Sequence, residues 1–528
     1  MYQLRLLERL FANGEISRRE FLTRISALGL TAAVSPILLR KTSYASGPIK
    51  GGRLRIGSSG GAISDSLDPA TLSDMMPWNI TWQCRNNLVE IDHNNAPIPE
   101  LAESWESSPG AKRWIFKLRK GVEFHNGKSF VADDVVFSLK RHRDEKSKSA
   151  AKAILKPIKD IKVDGKHTVE FILEEGNADF PFILADFHLQ IVPAGTTDFE
   201  DGMGTGGYRL VSHEPGVRAL AKRNPNYWKE GRAHFDEVET IGIADVTART
   251  NALQTGQVDF INRCDSKTYH MLKKAPGIQG IETTGFKHYT FTMSCDRPPF
   301  NNNDARLAMK YAIDRDQMIK TILRGHGLPG NDHPISQTNR YHNSELAQRT
   351  YDPEKAKFHL KKAGLEGETF NLYVADAGFP GAVDAAVLYK EQAAKAEINI
   401  NVVKEPNDGY WSNVWMKKTW CSVFWGGRPT EDWMFSTAYA ADAPWNDSFW
   451  KHERFNKLLV DARAELNDDK RRAMYYEMQE IVSNEGGAVL FAFVSDLMAA
   501  NKKLKFSKLA SDWEMDGVRL AERWWFES

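Results

Sequence analysis

Residues Pro99–Arg141 read P-E-L-A-E-S-W-E-S-S-P-G-A-K-R-W-I-F-K-L-R-K-G-V-E-F-H-N-G-K-S-F-V-A-D-D-V-V-F-S-L-K-R. The alternation in W-I-F-K-L (Trp114 to Leu118) predicts a strand. Ala132-Asp133-Asp134 then opens a helix, because acidic side chains in a first turn meet the positive end of the helix dipole. Val135, Val136 and Leu139 give that helix one apolar face. G-K-S at Gly127 to Ser129 suggests a phosphate loop, but Gly121 stands one residue too early for G-x-x-x-x-G-K-S. The flanking elements are also of the wrong kind, so no nucleotide site is expected.

Three further blocks follow in order. The first is G-T-G-G-Y-R-L (Gly204 to Leu210) with R-N-P-N-Y-W (Arg223 to Trp228). The second is R-P-P-F-N-N-N-D-A-R-L-A-M-K-Y-A-I-D-R (Arg297 to Arg315). The third is Y-D-P-E-K-A-K (Tyr351 to Lys357) with A-G at Ala363. Together with the opening stretch they closely resemble the signature of the extracytoplasmic solute-binding proteins of family 5, the dipeptide- and oligopeptide-binding proteins of ABC importers. The resemblance covers most of residues 50–495.

That resemblance implies an α/β, two-lobed periplasmic-binding-protein fold, with hinge strands between the lobes and an extra subdomain in the first. Lobe one would take residues 46–290, with the subdomain at about 90–200, and would return for 495–528. Lobe two would take 291–494. It further implies capture of a peptide or peptide-like zwitterion between the lobes, a closing motion, and delivery to ABC permease subunits in the inner membrane. Such a chain is a monomer and not an enzyme, with no catalytic residues, no metal and no cofactor. Other members carry opines, metal complexes, haem or oligosaccharides, so a non-peptide solute stays open. An exported enzyme is the remaining alternative.

The first 45 residues read as an export signal and not as part of the fold. S-R-R-E-F-L (Ser17 to Leu22) pairs two arginines, a run of about 15 apolar residues follows from Ile25 to Leu39, and S-Y-A (Ser43 to Ala45) precedes a cut before Ser46. This is a twin-arginine signal peptide, and the apolar run is short of the roughly 20 residues that span a bilayer. Cys84 is the first cysteine and lies far from the cut, which favours a soluble periplasmic protein over a lipid-anchored one. The mature chain carries 63 basic and 66 acidic residues, a formal charge of −3, against +1 for the full chain. Neither value suits a nucleic-acid binder. At 528 residues, two or three domains are expected. Cys84, Cys264, Cys295 and Cys421 could pair in an oxidising compartment, and their spacing does not say which.

Several motifs point elsewhere and lack the context they need. G-S-S-G-G (Gly57 to Gly61) fits the nucleophile-elbow pattern, but turn formers and helix breakers follow Ser59 instead of a helix. A loop lining a cleft suits Ser59 better. G-M-G-T-G-G (Gly202 to Gly207) fits G-x-G-x-x-G but leads into a strand, so a tight turn near the lobe interface, with Tyr208, is expected in place of a dinucleotide site. No histidines are paired at helical ligand spacing. The segment Asn302 to Ile322 has the period of one amphipathic helix, with Arg306, Lys310 and Arg315 on its solvated or ion-paired side.

The candidate site is W-C-S-V-F-W-G-G-R-P-T-E-D-W (Trp420 to Trp433). A buried strand stops at two glycines, and charges framed by tryptophans follow. Taken by themselves, these residues are either a solvated loop or a binding loop. Trp425 would form a wall, Gly426 would admit close approach, and Arg428 would fork a carboxylate. Glu431 or Asp432 would hold an ammonium group. The family's ammonium-binding aspartate falls at one of these two positions, Asp432 being preferred. Ser59 and Tyr208 are the further candidate contacts.

Overall fold

The structure is a computed structural model that describes residues 48–527, so the export segment lies outside the described residues. The chain divides into a small unit, 1–49 with 526–528, and a large one, 50–525. In the small unit Ile49 and Phe526 form an isolated antiparallel bridge.

The principal strands of the large unit are β1 (Arg53–Ser58), β2 (Ala102–Ser107), β3 (Arg113–Leu118), β4 (Ile158–Val163), β5 (Thr168–Leu173), β6 (Tyr208–Glu214), β7 (Arg218–Arg223), β8 (Glu237–Gly242), β9 (Phe260–Ile261), β10 (Ile278–Met293), β11 (Gly327–Pro329), β12 (Thr369–Val374), β13 (Asn399–Lys404), β14 (Trp420–Trp425) and β15 (Ala488–Asn501). Eleven of them form one sheet in the order β13-β12-β14-β10-β15-β9-β1-β8-β7-β6, with β11 on β15. A separate four-stranded sheet has the order β2-β3-β5-β4.

Two long strands hold the two ends of the large sheet together. β10 and β15 pair antiparallel from Ile278↔Asn501 to Thr292↔Ala488. One end of β15 (Ala499, Ala500) pairs with β9, while the C-terminal part of β10 (His288 to Met293) pairs with β14. The register breaks between Thr284 and His288, between those two regions. This is the two-lobed α/β fold with hinge strands. The sequence supports such strands: Val489, Leu490, Phe491 and Ala492 are all fully buried, as continuous apolar runs are when a strand is covered on both faces.

Separate cores pack against the two ends. One gathers Leu253, Val258, Ile261 and Tyr269 with Leu497 and Ala499. The other gathers Phe291, Met309, Leu372, Tyr389 and Trp420 with Phe491. The four-stranded sheet has its own core, running from Leu88 to Ile191 and including Phe116 and Phe171. Each such buried side chain contributes about 1.5–3 kcal/mol over an exposed one.

Helices α1 (Met75–Cys84), α2 (Ala132–Arg143), α3 (Asn303–Tyr311), α4 (Arg315–Thr321), α5 (Glu431–Ala438), α6 (Glu453–Ala464) and α7 (Asp468–Glu485) matter most for the site and its supports. α2 starts where the acidic first turn places it, and Asp134 accepts from the Val131 and Ala194 amides. The single helix expected over Asn302–Ile322 is instead α3 and α4. Asp314 breaks it by turning out of the helix and accepting from the Gln317 amide at 2.9 Å. The face expected there to be solvated or ion-paired is not solvated, and of its three cations Arg315 is the ion-paired one. Arg306, Lys310 and Arg315 are all buried. Arg306 donates to the Phe300 and Glu485 carbonyls, Lys310 to Ser483 O, and Arg315 pairs with Asp332 at 2.6 Å. Burial pulls the Lys310 ammonium down to about 7. All four cysteines are free. Among the described residues no helix is long and apolar enough to cross a membrane.

β14 delivers the candidate loop. Its aromatic and β-branched residues are buried except Phe424, and it ends at Gly426-Gly427. Gly427 has φ +73°, and a Cβ there would meet Phe286 Cβ and its carbonyl inside contact distance. Gly426 has open space around it. Gly427→Ala should therefore lower the urea midpoint, by about 1–3 kcal/mol of strain. Gly426→Ala should stay within about 0.5 kcal/mol of wild type. Equal midpoints for the two variants would refute this reading of the turn.

Candidate functional site

Downstream of Gly427 the chain places Arg428 and Pro429 against a cavity of about 280 Å³. α5 starts directly after, with Thr430 as its cap accepting from the Trp433 amide at 3.2 Å. Segments distant in sequence close the cavity: Trp78 from α1, the run Asp186-Phe187-His188, and Asp512-Trp513 near the C-terminus. Trp78 stacks on Phe187 at 3.8 Å, and Trp513 meets both edge-on, at 5.3 and 5.8 Å. Three aromatic rings thus form a box beside the arginine.

The charges of this cavity are unevenly matched. Arg428 Nη1 donates to the Gly427 carbonyl at 2.6 Å, and among the described residues no carboxylate lies within ion-pair distance of it. Burial pulls its pKa below the ordinary value while Asp186 opposes that shift. Asp186 itself accepts from the amide and Nδ1 of His188, at 2.9 and 2.7 Å. Asp512 Oδ1 and Trp78 Nε1 are buried without a hydrogen-bond partner and face packed protein, Oδ1 beside Gly517, and not the open space. Burial pushes the Asp512 carboxyl up to about 6.

A second cavity of about 480 Å³ shares Ile154, Phe182 and Trp433 with the first. Asp432 lines it, but its charge is already matched: Arg463 Nε donates to its two oxygens at 3.0 and 3.2 Å, and Ser436 Oγ bridges the pair. Close by, Arg471 of α7 grips Asp179 through two bonds of 2.7 Å. The Ala178 amide donates to Arg463 O at 2.7 Å. These bonds tie the segment beside the four-stranded sheet to α6 and α7.

The remaining sequence candidates lie elsewhere. Glu431 is buried and accepts from the Tyr341 amide at 2.7 Å, and burial pushes it up to about 7. Trp425 packs in a core against Trp415, with the exposed Trp445 at its edge. Its Nε1 donates to Asp447 Oδ2 at 3.3 Å, and it lines neither cavity. Tyr208 is fully buried, donating to the Ala521 carbonyl at 2.9 Å and accepting from the Phe235 amide. Ser59 sits at the end of β1 with its amide and hydroxyl on Asn262 Oδ1. Gly426 is at the turn itself. The structure thus brings Arg428 to an open cavity and leaves Trp425, Glu431 and Tyr208 in packed surroundings. Sequence reasoning missed Trp78, Phe187, Asp512 and Trp513. Their one signal was an aromatic or an acid in a loop, which many loops share.

Residues 96–447 match the model of the bacterial extracellular solute-binding proteins, family 5. The chain belongs to that family. Among curated relatives, the heme-binding protein A of Haemophilus influenzae is 28% identical over 460 residues, 79% of this chain and 83% of that one. The dipeptide-binding protein of Escherichia coli K12 is 26% identical over 467 residues, covering 80% and 85%. Among solved structures, HbpA2 from Haemophilus parasuis superposes with a TM-score of 0.82 at 23% identity, over 90% of this chain and all of that one. DppA from Helicobacter pylori in complex with the peptide STSA gives 0.72 at 24%, over 91% and 99%. The fold is theirs.

Glu431 makes the site's surroundings sensitive to pH. With a folded pKa of about 7 against an ordinary 4.5, its neutral form is favoured by folding. That stabilisation is complete below about pH 4.5 and is lost as pH rises through about 7. Glu431→Gln keeps an acceptor for Tyr341 and removes the titration. Between pH 4.5 and 8 wild type should lose roughly 3 kcal/mol more than the variant in chemical denaturation. Parallel stability curves would show that Glu431 ionises freely.

Proposed function

We propose that this chain is a periplasmic binding protein that captures a short peptide or peptide-like zwitterion between its two halves and hands it to the permease of an ABC importer. One observation carries the reading. Arg428, free of any carboxylate among the described residues, faces an aromatic-walled cavity built from segments of both ends of the large sheet. A guanidinium held partly out of water favours a bound anion, and a ligand carboxylate supplies one in a fork geometry. The dipeptide-binding relatives make a peptide's carboxylate the natural occupant.

The rest of the proposal follows from the family and the first 45 residues. The chain leaves the cytoplasm by the twin-arginine route, is released before Ser46, and acts as a soluble monomer without enzymatic activity. Lobe one comprises 46–290 and 495–528, with its subdomain at about 90–200, and lobe two comprises 291–494. Ligand contacts on both lobes favour the shut form, which docks on the permease. A second reading, an anionic non-peptide acid of opine type, draws support from the same arginine, because a cation directly after the two glycines asks only for an anion.

Mass spectrometry of ligand released by denaturing purified protein tests the class. A peptide or amino-acid conjugate is expected, and a sugar would overturn the reading. Arg428→Ala should then weaken the released ligand by about 2–5 kcal/mol in calorimetry. Arg428→Lys should recover part of that loss, since the charge returns without the fork.

A further inference from the structure

We infer that Asp179 and Arg471 form a latch across the cleft: the pair is made when the two halves are shut and parted when they open, so it sets how firmly the protein closes without touching ligand. Asp179 falls in the proposed lobe one and Arg471 in lobe two. The inference rests on the closing motion proposed above and adds the contact that holds the shut form.

The two side chains belong to separate bodies of packed protein. Phe180, next to Asp179, lies in the core of the four-stranded sheet, whereas Tyr475 and Met478 of α7 lie in the core that includes Trp425. The two cores share no residue. Between them stands the cavity of about 480 Å³, lined by Gly176, Asn177 and Asp179 from one side and by Thr430, Ser436 and Arg463 from the other. Polar contacts cross from body to body. Arg471 makes its two 2.7 Å bonds to Asp179, and the Ala178 amide donates to Arg463 O at 2.7 Å. From another loop of the same half, Asn95 Nδ2 donates to Thr338 O at 2.9 Å. Contacts of this kind part and re-form, where a shared apolar core would not. Arg463, whose carbonyl receives Ala178, also holds Asp432 of α5, the helix that starts directly after the turn presenting Arg428.

Arg471 is held ready for its partner by its own half. Its Nε donates to Ala462 O at 2.9 Å and its Nη2 to the Tyr475 hydroxyl at 3.3 Å. The guanidinium lies 5.5 and 5.4 Å from the ring centres of Tyr341 and Tyr475, which stack on each other. None of these supports comes from the other half, so the fork keeps its orientation when Asp179 leaves. With Asp179 docked, both charges are buried and both carboxylate oxygens are taken, which removes Asp179 as a ligand contact. On opening, each charge regains water. Desolvation therefore offsets most of the Coulombic gain of closing, and the intact pair leaves the halves free to part. Ligand contacts then decide closure, while the pair rejects shut forms in which fork and carboxylate miss each other. Loss of one partner changes this balance, because the shut form alone then buries an unmatched charge.

Hydrogen exchange in the mature protein, freed of ligand by reversible denaturation, reads the latch with no ligand present. The Ala178 amide reports closure, because its acceptor lies in the other half, and the paired amides of β3 and β5 report the fold of the four-stranded sheet. Wild type is expected to protect Ala178. Asp179→Asn should speed exchange there by roughly 100-fold and enlarge the radius of gyration in X-ray scattering, with β3 and β5 protected as in wild type. Arg471→Gln should do the same. The double variant should fall back toward wild type, since no unmatched charge is left to bury. A double variant that opens by the product of the two single factors would make the residues independent and overturn the inference. Equal protection of Ala178 in wild type and both single variants would overturn it too. So would a joint loss of protection in β3 and β5, which would make Asp179 a support of the sheet, and so would an unprotected Ala178 in wild type, whose halves would then rest apart. Capture of a peptide is decided separately, by the mass of the bound ligand, so the latch can fail while that reading stands.

Discussion

The antiparallel pairing of β10 with β15 is the constraint on which the rest of the structure depends. Each strand is long enough to belong to both ends of the large sheet, so the two cores are joined by strands and not by a loop. The pairing is interrupted between Thr284 and His288, and the interruption has a consequence for the site. Phe286 lies within it, and Gly427 packs directly on Phe286. The turn that presents Arg428 is therefore seated on the irregular part of the hinge strands. A side chain at 427 would push against backbone there, which is why a residue with positive φ and no Cβ occupies the position.

Around that turn, charge is distributed on two scales. Asp179 with Arg471, and Asp432 with Arg463, join elements that come from different parts of the chain. Buried pairs of this kind add little net stability over apolar packing, because desolvation offsets the Coulombic gain. Removing one partner, however, costs about 3–5 kcal/mol. Their effect is to hold the second cavity's walls in one arrangement. The first cavity is built on the opposite plan: Arg428 donates to the Gly427 carbonyl, and among the described residues no carboxylate lies within ion-pair distance of it. Satisfied charges organise the cleft, and unsatisfied ones are what a ligand can satisfy.

The family, the α/β class and the long strands were legible because they rest on local chemistry repeated over many residues. The acidic first turn at Asp133 and Asp134 starts α2 where its sequence places it, and the run from Ala488 is a buried strand, longer than its apolar part alone indicates. Periodicity misled over Asn302–Ile322. The apolar spacing continues through Asp314, while the aspartate's side chain caps a new helix. The cationic face was misread for a related reason. Arg306 and Lys310 look solvated in sequence, yet backbone carbonyls of Phe300, Ser483 and Glu485 await them in the fold. The site was half legible. A strand ending in Gly-Gly-Arg marks a turn that presents a charge, and the structure puts Arg428 at a cavity. Trp425 carries the same signals as a wall, but Asp447, 22 residues on, accepts its indole N–H and draws it into the core.

The difference between Asp432 and Asp512 shows why the partners of an acid resist reading from sequence. Both are acids beside a tryptophan, at Asp432-Trp433 and Asp512-Trp513. One reaches Arg463 and is neutralised, while the other has near it only arginines that are held by Glu90, Glu100, Asp516 and Glu522. Whether a carboxylate is available to a ligand depends on where the nearest cations are already engaged. That depends in turn on contacts spanning more than 400 residues, as between Glu90 and Arg523. Fold arises from many small local preferences that agree, and a shared fold at 23–28% identity is the result. Ligand choice arises from the few groups that the fold leaves unpaired, and a change in any one engaged cation would alter which groups those are.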